Sequence, residues 1–94
     1  MVDVETLSTQ PNAVIIQIAA VKFEFSSDKT EQFIMNSTIK SSTDLGLHVD
    51  TGTIDWWKSQ PTSTLKSVTT GAVPIQDVMS KFVEFVGNPK DIIF

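Results

Sequence analysis

The apolar segment at residues 13–25 constrains the fold most, because it is the longest apolar segment of this 94-residue chain. Its members are mostly β-branched, which favours a strand over a helix. The first half is apolar at successive positions and predicts a strand covered on both faces, whereas residues 21–25 alternate and predict one face in water. A turn signal at residues 8–12 precedes the segment, so this strand should pair antiparallel with the strand before it.

Residues 2–7 (VDVETL) form that preceding strand and place two carboxylates at alternate positions. Because strand side chains alternate between faces, Asp3 and Glu5 point the same way, roughly 7 Å apart, and Val2 and Val4 point the other way. In a strand expected to be buried, one unpaired carboxylate is costly, and a second beside it raises the cost. A bound divalent cation would remove both costs, so Asp3 and Glu5 are candidate metal ligands.

With the rest of the chain, the predicted order of elements is β-β-β-α-α-α-β. The pattern predicts a third, edge strand at residues 31–39, a loop at 40–50, three helices at 54–58, 62–68 and 74–86, and a strand beginning at 91–94. Residues 51–53 are expected to cap the first helix, and Gly87 to end the last one. The predicted fold class is therefore α/β with a mixed (α+β) sheet: a three-stranded antiparallel meander, then helices, then the start of a parallel fourth strand. The first strand would be central, between the second and the fourth.

The charge and composition of the chain exclude some classes of protein function. The net charge is −4, and the seven basic residues are all lysines without a cluster, whereas a tight non-specific nucleic-acid binder carries a basic stripe. Any phosphate chemistry must therefore depend on metal ions or on groups outside this chain. The absence of cysteine excludes disulfides and thiolate metal sites. No transmembrane run or signal peptide is present, which predicts no membrane association and suits a cytoplasmic location.

Three motifs in order resemble the DEDD family of 3′–5′ exonucleases, which has an RNase H-like fold. They are VDVETL at residues 2–7, VIIQIAAV at residues 14–21 and TIDWWKSQ at residues 53–60. The similarity is closest to RNase T-like members of phages and bacteria, one branch of which has a T-I-E/D-W-W helix. The resemblance spans nearly the whole chain.

This resemblance implies a two-metal mechanism on the 3′ ends of single-stranded DNA or RNA. Four carboxylates hold two Mg²⁺ or Mn²⁺ ions, ~4 Å apart, at the scissile phosphate. Asp3 matches the aspartate that bridges both ions, and Glu5 matches the glutamate that binds one. Thr6 and Leu7 match a region that contacts the 3′-terminal nucleotide. Trp57 is a candidate substrate contact, because adjacent helical residues diverge by ~100° and one indole of the Trp56–Trp57 pair can face a substrate groove while the other packs in the core. The alternative, which the sequence favours, is that both indoles pack in the core or against other helices.

The chain departs from the family pattern in its later motifs. The second family aspartate follows the fourth strand, and the last aspartate with its His or Tyr general base lies further on. Asp91 precedes the strand at its wrong end, and His48, the single histidine, lies in a loop that does not match the base. Residues 1–94 are therefore expected to be one partial domain, the N-terminal half of the exonuclease. Alone it should be inactive, and either marginally stable or associated as a homo-oligomer through its open sheet edge.

Two other interpretations stay open on the sequence alone. The chain is alternatively a non-catalytic interaction module with a degenerate RNase H-like fold, or another RNase H-like nuclease or transposase. An aspartate after the fourth strand in the downstream coding sequence would favour the exonuclease. Gln17 interrupts the apolar second strand, and a hydrogen bond to the backbone and a place at the edge of the active site explain it equally well.

Overall fold

The computed structural model describes residues 1–24, 29–87 and 92–93. In order, the elements are β1 (Val2–Thr6), β2 (Ile15–Glu24), β3 (Thr30–Asn36), α1 (Ile39–Thr43), α2 (Thr51–Lys58), α3 (Thr62–Thr69), α4 (Ile75–Val86) and β4 (Ile92–Ile93). A three-stranded antiparallel meander followed by helices confirms the predicted mixed α+β class. The sequence also predicts a turn at residues 26–30. Most of these residues, together with Asp91 and Phe94, lie outside the described residues.

Strand β2 is the centre of the sheet, because β1 pairs with one of its edges and β3 with the other, both antiparallel. Asp3 lies opposite Ala19, and Ile18 lies opposite Met35. The long β-branched segment thus has a hydrogen-bonded neighbour on each side. The predicted antiparallel pairing of the first two strands is confirmed.

Strand β4 lies beside β2, with Phe23 opposite Ile93 in an antiparallel pair. It therefore runs in the same direction as β1, as predicted, but next to a different strand. The prediction that β1 is central is wrong for the described residues, in which β1 pairs only with β2. The cause is the length of β2, which continues past Val2's partner, Ala20, and leaves ladder positions for β4 on the same edge.

Burial follows one face of β2. Val14, Ile16, Ile18 and Ala20 are buried, whereas the positions between them are only partly covered, so cover on the second face is less complete than predicted. Two apolar clusters extend from the buried face. The first joins Leu7, Val14, Ile16, Trp57 and Val68, and the second joins Ile18, Ile75 and Val78. Burying such side chains contributes about 1.5–3 kcal/mol each, which attaches α2, α3 and α4 to the sheet.

The expectation that β1 is buried is also wrong. Val2 and Val4 are 47% and 44% exposed, because β1 is an edge strand that pairs only with β2 among the described residues. The register also shifts between Glu5 and Thr6, where Ile16 is an extra residue in β2. Such a β-bulge bends the strand and re-aims the side chains next to it.

The helices lie close to their predicted bounds, with one addition. Helix α1 occupies part of the predicted third strand and loop, because Ser41 Oγ donates to the Thr38 carbonyl and accepts the Ile75 N–H, which favours a helical turn there. Gly87 ends α4 with φ of +59°, as predicted. Within the described parts of the chain, no helix is long and apolar enough to cross a membrane.

Candidate functional site

The two candidate metal ligands lie on β1 just before the bulge. Asp3 is exposed and Glu5 is half-buried, opposite Gln17 in the ladder. Burial raises the pKa of the Glu5 carboxyl, and the negative charge of Asp3 raises it further. The electrostatic cost inferred from the sequence is therefore present at Glu5, and a bound cation would offset it.

Glu5 also lines a groove of about 390 Å³ between the end of β1 and the start of α2. The side chains that give the groove its chemistry are Glu5, Thr6, Asp50, Thr53, Trp56 and Trp57. The groove thus combines carboxylates, hydroxyls and an aromatic wall. Its charge is negative, so a polyanion would be repelled from it unless a cation is bound there.

The two indoles of α2 diverge as the sequence predicts. Trp57 is buried with 7% of its surface exposed, whereas Trp56 is 54% exposed and lies along the groove. Their rings meet edge to face, with centroids 4.9 Å apart. Of the two indoles, Trp57 was the candidate substrate contact, but Trp56 presents the larger free ring surface, and the role of Trp57 in binding stays a prediction.

Asp50 is the second acid that lines the groove, and sequence reasoning missed it. Its Oδ2 accepts hydrogen bonds from the backbone N–H and the hydroxyl of Thr53, at 2.9 and 3.0 Å. These bonds lower the pKa of Asp50, with a smaller contribution from His48. Asp50 rather than residues 51–53 is therefore the cap of α2, and the signal in the sequence was an Asp three residues before a Thr at a helix start.

Thr6 and Leu7 follow Glu5 and are held from within the fold. The Thr6 hydroxyl donates to the carbonyl of Ser8, while the Leu7 side chain is buried in the first apolar cluster. Leu7 and Trp57 also line an apolar cavity of about 430 Å³, and Trp57 is the residue that this cavity shares with the groove. The assignment of Thr6 and Leu7 to substrate binding stays a prediction.

His48 has a structural environment. The ring Nδ1 of His48 lies 2.6 Å from Oγ of the buried Ser8. The backbone N–H of His48 donates to the Asn12 carbonyl, and the backbone carbonyl of His48 accepts the Val14 N–H. These contacts anchor the loop before α2 to the start of β2. They account for His48 without a catalytic role, in agreement with its mismatch to the family base.

Gln17 lies opposite Glu5 in the ladder and has both a side-chain and a backbone hydrogen-bond partner. Its Nε2 donates to Asn36 Oδ1 at 2.9 Å and to the Ser67 carbonyl at 3.2 Å. Asn36 Nδ2 donates to the carbonyls of Ser67 and Thr70, both at 2.9 Å. Gln17 and Asn36 therefore tie the end of α3 to the sheet, which favours the backbone explanation.

The donor chemistry of Asp3 and Glu5 suits a hard divalent cation, because both side chains offer only oxygen. In the described part of the chain, however, no group of three or more His, Cys, Asp or Glu side chains is placed to hold a metal ion. A cation at this pair would therefore need ligands besides Asp3 and Glu5.

A mixed sheet whose first strand carries an acidic pair beside an aromatic groove fits the class of nucleases that the sequence resembles. The family model for the 3′-5′ exoribonuclease Rv2179c-like domain matches residues 1–93, and the chain belongs to this family. Membership supports a 3′–5′ exonuclease function and a nucleic-acid substrate. No curated protein and no solved structure gave a significant match.

Proposed function

We propose that residues 1–94 supply the acid-bearing N-terminal half of a DEDD-type 3′–5′ exonuclease domain that acts on the 3′ ends of single strands. The carrying observation is that Glu5, one residue of an acidic pair on β1, lines a groove whose opposite wall includes the exposed ring of Trp56. The family description favours RNA over DNA as the substrate. The RNase T-like subtype and the phage or bacterial branch rest on the residues 53–57 motif.

In this proposal, Asp3 and Glu5 hold Mg²⁺ or Mn²⁺ through their carboxylate oxygens. When bound, such ions supply an activated water and neutralise charge at the scissile phosphate. Asp3 and Glu5 are two of four carboxylates in the DEDD pattern, so the remaining ligands and the general base would come from outside residues 1–94. The isolated chain is therefore proposed to bind a cation weakly and not to turn over.

The groove explains how an acidic domain can accept a polyanion. Glu5 and Asp50 both line it, and no arginine is present in the chain to bind phosphates. Cations held at Glu5 would reverse the local charge, and Trp56 would stack on an unpaired base, which is worth about 1–3 kcal/mol per base. Base stacking requires a free ring face, which a single strand provides and a duplex interior does not.

We also propose a cytoplasmic location and self-association through β1. Within the described residues, β1 has one unpaired edge, and Val2 and Val4 beside it are exposed. Unpaired edges with exposed apolar side chains promote strand pairing between chains. A monomer in sedimentation experiments, together with a cooperative melting transition, would contradict self-association.

A second candidate is the non-catalytic interaction module. Its support is that the described residues bring together no complete set of metal ligands. This candidate predicts that the groove binds neither cation nor nucleic acid.

Binding of labelled oligonucleotides in the presence of Mn²⁺ tests the proposal against this alternative. A linear single-stranded RNA with a free 3′ hydroxyl should quench the fluorescence of Trp56 and bind more tightly than a circular RNA of the same sequence. Equal affinity for both would remove the 3′-end preference. No binding of either, with or without Mn²⁺, would favour the interaction module.

A further inference from the structure

We infer that Trp57 is a positioning residue, whose indole N–H fixes the backbone after Glu5 and thereby holds the Glu5 side chain at the groove. The inference rests on the proposed role of Glu5 as a cation ligand. It assigns to Trp57 an action through Thr6, in place of contact with substrate.

Two consecutive carbonyls after Glu5 are held by α2. The Thr6 carbonyl accepts Trp57 Nε1–H at 2.9 Å, and the Leu7 carbonyl accepts the backbone N–H of Asp50 at 2.8 Å. Asp50 caps α2, and Trp57 lies two turns along it. Helix α2 therefore contacts the end of β1 at two points, and Glu5 is the residue immediately before them.

The sheet itself constrains this part of β1 less than the part before it. The ladder is regular from Val2 to Glu5, but the register shifts between Glu5 and Thr6, where β2 has one extra residue. A bulge interrupts the alternating ladder and leaves local geometry to other contacts. The hydrogen bond from Trp57 is such a contact, made at the first residue beyond the shift.

The Trp57 ring belongs to the first apolar cluster with Leu7, Val14 and Ile16, and it also lines the apolar cavity of about 430 Å³. A side chain beside a void lacks part of its dispersion contacts. The hydrogen bond to the Thr6 carbonyl adds a directional contact to this packing and couples the position of the ring to the backbone after Glu5.

The test compares Trp57→Phe, which removes the N–H, with Val78→Ala, which creates a cavity in the second cluster away from the groove. NMR relaxation gives the backbone order parameters of Glu5 and Thr6, and a Mg²⁺ titration gives the affinity of each protein. We expect Trp57→Phe to lower both order parameters from rigid values near 0.85 and to weaken Mg²⁺ binding about tenfold or more. Val78→Ala should destabilise the chain but leave the order parameters and the affinity at wild-type values.

Wild-type order parameters together with wild-type affinity in Trp57→Phe would overturn the inference. If the wild-type chain itself does not bind Mg²⁺, the proposed function fails, yet the order parameters still decide whether Trp57 positions Glu5. If Trp57→Phe does not fold, β-(3-benzothienyl)alanine at position 57 keeps the bicyclic ring without the N–H. The same comparison with Val78→Ala then applies.

Discussion

Oγ of Ser8 lies 2.6 Å from Nδ1 of His48, joining the exit of β1 to the loop before α2 across 40 positions of sequence. Ser8 is buried, and its Oγ also accepts the backbone N–H of Gln10 at 3.1 Å. One hydroxyl thus serves a histidine and a turn amide. The Ser8–His48 contact joins the two walls of the groove, because Thr6 and Ser8 line the groove from the β1 side and Asp50 lines it from the α2 side.

Ser8→Ala should therefore destabilise the fold. The substitution removes the partner of His48 Nδ1 and of the Gln10 N–H, and a typical hydrogen bond contributes about 0.5–1.5 kcal/mol to stability. Urea unfolding at pH 7 measures the loss. Ser80→Ala on the exposed face of α4 is the matched control and should change stability by less than about 0.5 kcal/mol. Equal midpoints for the two variants would show that the junction contributes nothing.

Asn36→Ala should loosen the attachment of α3 to the sheet. The variant removes the donors to the Ser67 and Thr70 carbonyls and the acceptor of Gln17, so we expect a loss of about 1–2 kcal/mol. Relative to the wild-type chain, amide hydrogen exchange in the variant should accelerate more at the end of α3 than in α4. Asn12→Ala in an exposed turn is the control. Uniform exchange along both helices in Asn36→Ala would contradict a local attachment.

Glu5→Gln should increase stability at pH 7. Burial and Asp3 raise the Glu5 pKa in the folded state, so the folded chain binds more protons than the unfolded chain, and stability falls as pH rises through this window. The destabilisation by the ionised Glu5 carboxylate is fully present above the Glu5 pKa of the folded state and is absent below the Glu5 pKa of the unfolded state. Urea midpoints should favour Glu5→Gln at pH 7 and coincide with wild type near pH 3. A gain of the same size at both pH values would refute the electrostatic origin.

Asp50→Ala should lower the melting temperature at neutral pH. Hydrogen bonds from Thr53 lower the Asp50 pKa, so the ionised cap stabilises α2 above the unfolded pKa, and this stability is lost as pH falls through the folded pKa. Melting curves of wild type and variant should therefore converge in acid. Asp44→Ala, at the end of α1, removes an exposed acid of another helix as control. Parallel curves across the whole pH range would contradict the charged cap.

Sequence patterns were sufficient for every element except α1, but they predicted only some of the strand neighbours. The β-branched run defined β2, and proline, glycine and apolar spacing defined α3 and α4, because these signals act within a few residues. The pairing of β4 with β2 depends on how far β2 extends past Val2, which is a property of tertiary packing. Helix α1 depends on side-chain bonds of Ser41 to Thr38 and to α4, which no periodicity encodes.

The sequence likewise predicted some residues of the candidate site and missed others. The acidic pair and the divergent indoles follow from the periods of strand and helix, and both are present. Which indole faces the groove depends on the rotation of α2 against β1, and that rotation is set by contacts of Trp57 and Asp50 with two distant carbonyls. Asp50 was missed because its place in the groove appears only when the loop before α2 is folded against β1.

Binding of Mn²⁺ to the acidic pair, followed by paramagnetic line broadening in NMR spectra, tests the central claim most directly. In the wild-type chain, Mn²⁺ should broaden the signals of Asp3 and Glu5 first, with those of their ladder partners Ala19 and Gln17. Broadening there should require about tenfold more Mn²⁺ in Asp3→Asn and disappear in Asp3→Asn/Glu5→Gln. Unchanged broadening in the double variant, or broadening centred on another acid such as Asp77 of α4, would contradict a cation site at Asp3 and Glu5.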